Sequence, residues 1–292
     1  MTTQEKITAG IFPQRVEIEL VSSCNLHCVY CPGRYLDDRS GLMEYNLFLK
    51  IIDEVAAFPD TVIVLHRRGE SLLHPRFIDI CEKVQGKFKE VQIATNATLL
   101  DDKKSEAIIG AIDFISFSID TPEMFNKTRT PANYEEVERN ILNFLSMNHG
   151  RVKTQVSMVK SKLTSFQEIE RFKQLWEGKV DRIRVYEEHS TDGNFGSLKK
   201  KRTDRLPCVM PFYDFLIYFD GQTGRCNHDW NGPSLGNVKK DSIETIWNNA
   251  DYSALRKQHE TLLITDSVCK NCDSWYAEKG KQGTGETISD ED

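Results

Sequence analysis

Strand-like and helix-like segments alternate through the first 190 residues, and this alternation restricts the possible folds more than any other feature. "RVEIELV" (15–21) is a strand pattern, and "YNLFLKIIDEVAAF" (45–58) carries the 3.6-residue apolar spacing of a helix. The β-branched run "TVIVLHR" (61–67) precedes a helix near 76–86, and "EVQIATN" (90–96) precedes "DDKKSEAIIGA" (101–111). "DFISFSID" (113–120) alternates with period two and precedes "YEEVERNILNFLSM" (134–147). "RVKTQVSMV" (151–159), "FQEIERFKQLWEG" (166–178) and "DRIRVYEE" (181–188) complete the series. Six strands, the first five each followed by a helix, predict a parallel sheet with right-handed crossovers. Six units are too few for a closed eight-fold barrel. The expected fold class is therefore α/β, an open, partial (β/α)6 barrel over residues 15–188, behind a short extension at 1–14. Reactive groups of such sheets gather where the strands end.

Beyond residue 188 the texture changes. Residues 189–206 are polar, contain Lys199, Lys200, Lys201 and Arg202, and read as a linker or flap able to cover a site or meet an acidic redox partner. "YDFLIYFDGQTGRCNHD" (213–229) predicts a hairpin turning at Asp220-Gly221. "SIETIWNNADYSALRKQH" (242–259) predicts one helix capped by Ser242. Together these make a small α+β C-terminal domain over 207–276. The acidic tail, 277–292, is expected to be disordered.

Eight cysteines punctuate this plan. The N-terminal extension lacks a signal-peptide core and no run of 18 apolar residues exists, so a cytoplasmic protein with reduced thiols and no membrane span is expected. Close cysteine spacings then point to metal rather than disulfides. Cys81 sits in a helical pattern and reads as a small buried apolar residue. Cys24, Cys28 and Cys31 form a C-x3-C-x2-C array just after the first strand. Zinc knuckles use C-x2-C pairs and four ligands, which this array breaks, and His27 between two thiols is poorly placed to join them. Unrelated buried thiols rarely fall in a polar loop ending in Pro-Gly. The third reading is a [4Fe–4S] cluster on three thiolates, leaving one iron open to a small molecule. Cys208, Cys226, Cys269 and Cys272, spaced C-x17-C-x42-C-x2-C, could close a second site. Spacing alone leaves zinc and iron–sulfur equal there.

The array Cys24-Asn25-Leu26-His27-Cys28-Val29-Tyr30-Cys31, after strand one of a partial barrel, resembles the radical S-adenosylmethionine (radical SAM) superfamily. The resemblance implies that the open iron chelates S-adenosylmethionine and that its reductive cleavage yields a 5′-deoxyadenosyl radical, which takes hydrogen from substrate. It also implies that Tyr30 lies by the adenine. "RRGESLLHP" matches the family's "GGE" segment with Gly69 and Glu70, the part that receives the methionine amino group, while Arg68 replaces the first glycine. "SFSID" (116–120) implies Ser118 as a methionine or ribose contact, with Ser116 set on the opposite face. Arg129 in "NKTRTP" fits the carboxylate-binding arginine. The segment from Cys208 to Cys272 resembles twitch and SPASM extensions. This implies an auxiliary [4Fe–4S] cluster on all four thiols, able to pass electrons but not to bind substrate. The four-thiol spacing is similar to that of family dehydrogenases that oxidise 2-deoxy-scyllo-inosamine, an aminocyclitol.

Substrate signals are sparser. His66 and Arg67 crowd the end of strand two, and Tyr186 ends strand six; facing inward, they would grip hydroxyls or an anionic group. Strand one begins near residue 15, leaving no room for a leader-binding domain, which tilts the reading from a peptide toward a small polar molecule. A sugar or aminocyclitol alcohol is the expected substrate, with peptide modification as the alternative and a non-enzymatic zinc protein as a third. No general base can be named. The net charge of −6 argues against nucleic acid, and an electron donor such as flavodoxin or ferredoxin is the expected partner.

Overall fold

A computed structural model describes residues 9–35, 41–188, 205–270, 272 and 285–287. Six strands arrive as expected: β1 (Arg15–Ile18), β2 (Val62–Val64), β3 (Glu90–Thr95), β4 (Phe114–Ser118), β5 (Lys153–Lys160) and β6 (Arg182–Glu187). They pair in parallel in chain order. Helices α1 (Tyr45–Val55), α2 (Phe77–Val84), α3 (Asp102–Ala111), α4 (Pro122–Thr128), α5 (Tyr134–Asn148) and α6 (Phe166–Trp176) cover the sheet. Helix α4 was not foreseen. It is short, opens on Pro122 and carries the chain from β4 toward Arg129.

Period-two alternation divides each strand between two environments. Val16, Ile18, Ile63, Leu65, Val91, Ile93, Ile115, Phe117, Val156 and Met158 join one apolar core, with Phe117 edge-on to Phe144 of α5. The other face is polar. There Arg15 lies between Glu17 and Asp214, ion-paired to both, at 3.2 Å from the latter. The Gln155 amide donates to Ser116 Oγ at 2.8 Å. The sheet thus has one apolar face and one polar face whose side chains are themselves buried.

The C-terminal segment does not stand apart from this sheet. β7 (Asp214–Ile217) pairs in parallel with β1, in the register Arg15↔Asp214 to Ile18↔Ile217. It then turns through Gly221 into β8 (Thr223–Gly224), giving the expected hairpin. At Gly221 φ is +88°, a conformation glycine adopts without steric cost. The single helix expected over 242–259 is two, α7 (Ile243–Trp247) and α8 (Ala250–Thr261). Ser242 caps the first as expected, but the Asn249 side chain accepts the Tyr252 N–H and starts the second.

The flap residues Lys199, Lys200, Lys201 and Arg202 lie outside the described residues. Within the tail expected to be disordered, Gly285–Thr287 forms β9, antiparallel to β6. The expectation is corrected for these three residues: the open edge of β6 offers unpaired backbone groups, and these can hold a short polar strand. Among the described residues no helix is long and apolar enough to cross a membrane.

Candidate functional site

The cysteine loop leaves the C-terminal end of β1 and is held by backbone bonds on both sides. Glu70 N–H donates to Ser23 O at 2.9 Å. His27 N–H donates to Thr130 O at 2.7 Å, and Val29 N–H to Thr128 O at 2.9 Å. The loops after β2 and α4 thus flank the three thiols. Leu26 is buried beneath them while the His27 side chain is exposed. Burial pushes the Cys28 thiol up to about 11; Arg129 opposes this, while Cys31, Cys24 and Asp120 add to it. The three sulfurs are therefore near enough to resist one another's ionisation, and a bound cation would relieve that resistance by displacing protons.

Gly69 and Glu70 serve this loop directly. A Cβ on Gly69 would stand 2.2 Å from Ser23 O and 2.3 Å from Val21 O, so only glycine allows the two loops to touch. The Glu70 carboxylate accepts the Thr95 hydroxyl at 2.8 Å and the N–H groups of Asn96 at 2.8 Å and Leu72 at 3.1 Å. Burial raises its pKa, partly offset by these bonds. Gly69→Ala is expected to lower unfolding stability by roughly 1–3 kcal/mol, because the obstacles are backbone atoms that cannot rotate away. Urea denaturation checks this through a lower midpoint at unchanged slope.

Asp120, which sequence reading passed over, is the centre of the arrangement. Its carboxylate accepts the Tyr30 hydroxyl at 2.8 Å, the Thr128 hydroxyl at 2.7 Å and Arg129 Nε at 2.9 Å. Arg129 is 4% exposed, and its guanidinium lies 5.4 Å from the Tyr30 ring centre. Tyr30 and Arg129, both read from the sequence as cofactor contacts, thus meet on one carboxylate. The only hint of this was the aspartate itself, sharing a strand face with Ser118. Ser118 ends β4, half-buried. Ser116 shares that face rather than opposing it, because residues two apart on a strand point the same way. Asn96, also overlooked, donates to Asn25 Oδ1 at 2.9 Å and to Cys24 Sγ at 3.7 Å.

The four later thiols line one cavity, together with Arg205, Arg225, His228 and His259. Among the described residues, no group of three or more His, Cys, Asp or Glu could hold a single metal ion. Burial raises the Cys226 thiol well above its usual range, and Cys208, Cys269 and Cys272 raise it further. Local structure gathers them. The Arg225 guanidinium forks onto Asp266, with Nε at 2.8 Å and Nη2 at 2.7 Å, and reaches Asp229 at 2.8 Å. Asp266 accepts the N–H of Cys269 at 2.9 Å, fixing the turn that carries Cys269 and Cys272.

Arg67 and Arg68 join this second group to the barrel. Arg68 grips both carboxylate oxygens of buried Glu19, at 2.6 and 2.7 Å, and donates to Trp230 O at 2.9 Å. Its guanidinium stacks 4.3 Å from the Tyr218 ring. Arg67 donates to Asp229 O at 2.5 Å. The arginine standing in place of the expected glycine therefore fastens the Cys226–Trp230 loop beside the first cysteine loop. His66 precedes them with Nδ1 buried and without a partner. Burial, with smaller contributions from Arg15 and Arg67, lowers its pKa to about 3, so the ring is neutral. Tyr186 lies under Arg184, 4.7 Å from its ring centre, on a strand separated from β2 by three others.

The family model described as the radical SAM superfamily matches residues 18–186. SPASM, described as an iron–sulfur cluster-binding domain, matches 208–273. The chain is 40% identical over 106 residues to the tungsten-containing aldehyde ferredoxin oxidoreductase cofactor-modifying protein of Pyrococcus furiosus, covering 35% of this chain and 30% of that one. It is 30% identical over 135 residues to a probable GTP 3′,8-cyclase of Methanopyrus kandleri, covering 43% and 41%. The matches thus span less than half the length of these relatives. Among solved structures, BtrN in complex with AdoMet and 2-DOIA superposes with a TM-score of 0.63 at 17% identity, covering 89% of this chain and 92% of that one. Streptococcus suis SuiB bound to precursor peptide SuiA gives 0.69 at 15% identity, covering 92% and 72%. At such identities these likenesses speak to the fold.

Proposed function

The chain belongs to the radical SAM superfamily and uses S-adenosylmethionine and iron–sulfur clusters, and on that footing we propose that it oxidises an alcohol of a small polar substrate, a sugar or aminocyclitol. In this reading Cys24, Cys28 and Cys31 hold the first [4Fe–4S] cluster, and Cys208, Cys226, Cys269 and Cys272 hold the auxiliary one. Bound there, the cofactors would supply radical hydrogen-atom abstraction and, at the auxiliary cluster, an acceptor for the electron left behind. The donor sets fit: three thiols share the first loop with no further protein ligand assigned, and four thiols line one cavity.

The chain's own side chains divide the remaining work. Tyr30 and Ser118 border the S-adenosylmethionine position. Gly69, Glu70 and Arg129 shape it, since the carboxylate of Glu70 and the guanidinium of Arg129 are bonded within the protein. His66 offers its buried Nδ1 as an acceptor for a substrate hydroxyl, while Arg67 and Tyr186 border the same polar face. A low-potential donor such as flavodoxin or ferredoxin would supply the first electron.

The observation that best supports the reading is the Arg67–Arg68 clamp, which holds the loop bearing Cys226 beside the end of β2, the strand end to which the reading assigns hydrogen abstraction. A second reading, peptide side-chain modification, draws support from the likeness to SuiB, whose solved complex holds a precursor peptide. Anaerobically reconstituted protein should hold about eight irons, four per cluster, and release 5′-deoxyadenosine with dithionite. Polyols and aminocyclitols deuterated at the carbinol carbon should pass deuterium into that product. Transfer only from labelled peptides would replace the first reading by the second, and transfer from neither class would remove both.

A further inference from the structure

His259 lies in α8 and is 1% exposed. Its Nδ1 accepts the backbone N–H of Cys208 at 3.3 Å. An accepting Nδ1 carries no proton, so the ring is neutral and its proton sits on Nε2. That Nε2 is buried with no partner. The ring lines the same cavity as Cys208, Cys226, Cys269 and Cys272. Among the neighbouring side chains, Arg225 is held by Asp229 and Asp266, and Arg205 donates to Cys272 O at 3.1 Å. A buried N–H left without an acceptor is strongly unfavourable, so a donor aimed into a thiol-lined space indicates an acceptor there.

We infer that the Nε2–H of His259 donates a hydrogen bond to a sulfur of the auxiliary cluster and raises that cluster's reduction potential. The inference rests on the four cysteines holding a cluster. Hydrogen bonds to cluster sulfurs are among the factors that set potential, because they stabilise the more negative, reduced state. The electron lost by the substrate radical as its hydroxyl proton departs is the electron this cluster gains. His259 is thus a positioning residue for that transfer, since it acts through the cluster and does not touch substrate.

The test uses the full chain carrying Cys24→Ala, Cys28→Ala and Cys31→Ala, so that only the auxiliary site titrates. Iron content comes first: about four irons per chain support the four-cysteine site, and none would refute that reading before the histidine is considered. His259→Asn keeps an acceptor near the Nδ1 position but removes the Nε2 donor. His259→Gln keeps a donor near Nε2. The asparagine variant should retain its iron and show a tenfold fall in the equilibrium constant for one-electron reduction, about 59 mV in an EPR-monitored titration. The glutamine variant should stay near the parent potential. An unchanged midpoint in His259→Asn, or equal shifts in both variants, would overturn the inference. Should either variant lose its iron, the parent chain with 15N-labelled histidine rings decides. Hyperfine coupling from a ring nitrogen to the reduced cluster is expected, and its absence would be equally fatal.

Discussion

Replacing Cys24, Cys28 and Cys31 together by alanine is expected to lower the iron content of the reconstituted chain from about eight to about four and to bring 5′-deoxyadenosine formation down to background. The reason is local. The loop is already placed by backbone bonds to Glu70, Thr128 and Thr130, so the substitutions remove ligands without removing the contacts that shape the loop. The fold should survive, and the four irons that remain should belong to the Cys208 group. Iron quantification, together with chromatography of the reaction mixture after dithionite addition, checks both halves. Undiminished iron would show that the trio is not a ligand set. Loss of all iron would show that the Cys208 group holds no cluster of its own.

Asp120→Ala should be the most destabilising single change near the site. Arg129 is 4% exposed and carries its charge opposite Asp120. Removing the carboxylate leaves that charge buried and unpaired, at a cost of about 3–5 kcal/mol. A domain of ordinary stability has only about 5–15 kcal/mol in total. Tyr30 and Thr128 would lose their acceptor in the same step. The double change Asp120→Ala with Arg129→Met should recover part of the loss, since it removes the stranded charge as well. Urea unfolding of the anaerobic protein measures both. A loss below about 1 kcal/mol for Asp120→Ala would mean that water reaches the guanidinium and the pair is not truly buried.

The sequence made the barrel readable because both of its periodicities are local: apolar residues two apart on strands and three to four apart on helices. The cysteine spacings were local as well. What escaped were contacts between distant positions. Nothing near Arg68 announces that its partners are Glu19 and the carbonyl of Trp230, 162 residues onward. Asp120 looked like the end of a strand, because its role depends on Tyr30 arriving from a loop 90 residues earlier. The single helix expected near residue 250 overlooked the capping power of Asn249. His259 lay inside an unremarkable amphipathic helix, and only the fold turns its ring toward the four thiols.

The register that sets Arg15 beside Asp214 joins positions 199 apart. During synthesis, β1 therefore leaves the ribosome well before β7, and its outer edge stays bare until the intervening residues have been made. Parallel pairings across such distances form slowly. The loop that bears Cys24 must wait on that bare strand until β7 has been made. Any cellular machinery that delivers iron to it either recognises an unfinished sheet or acts only after β7 has emerged.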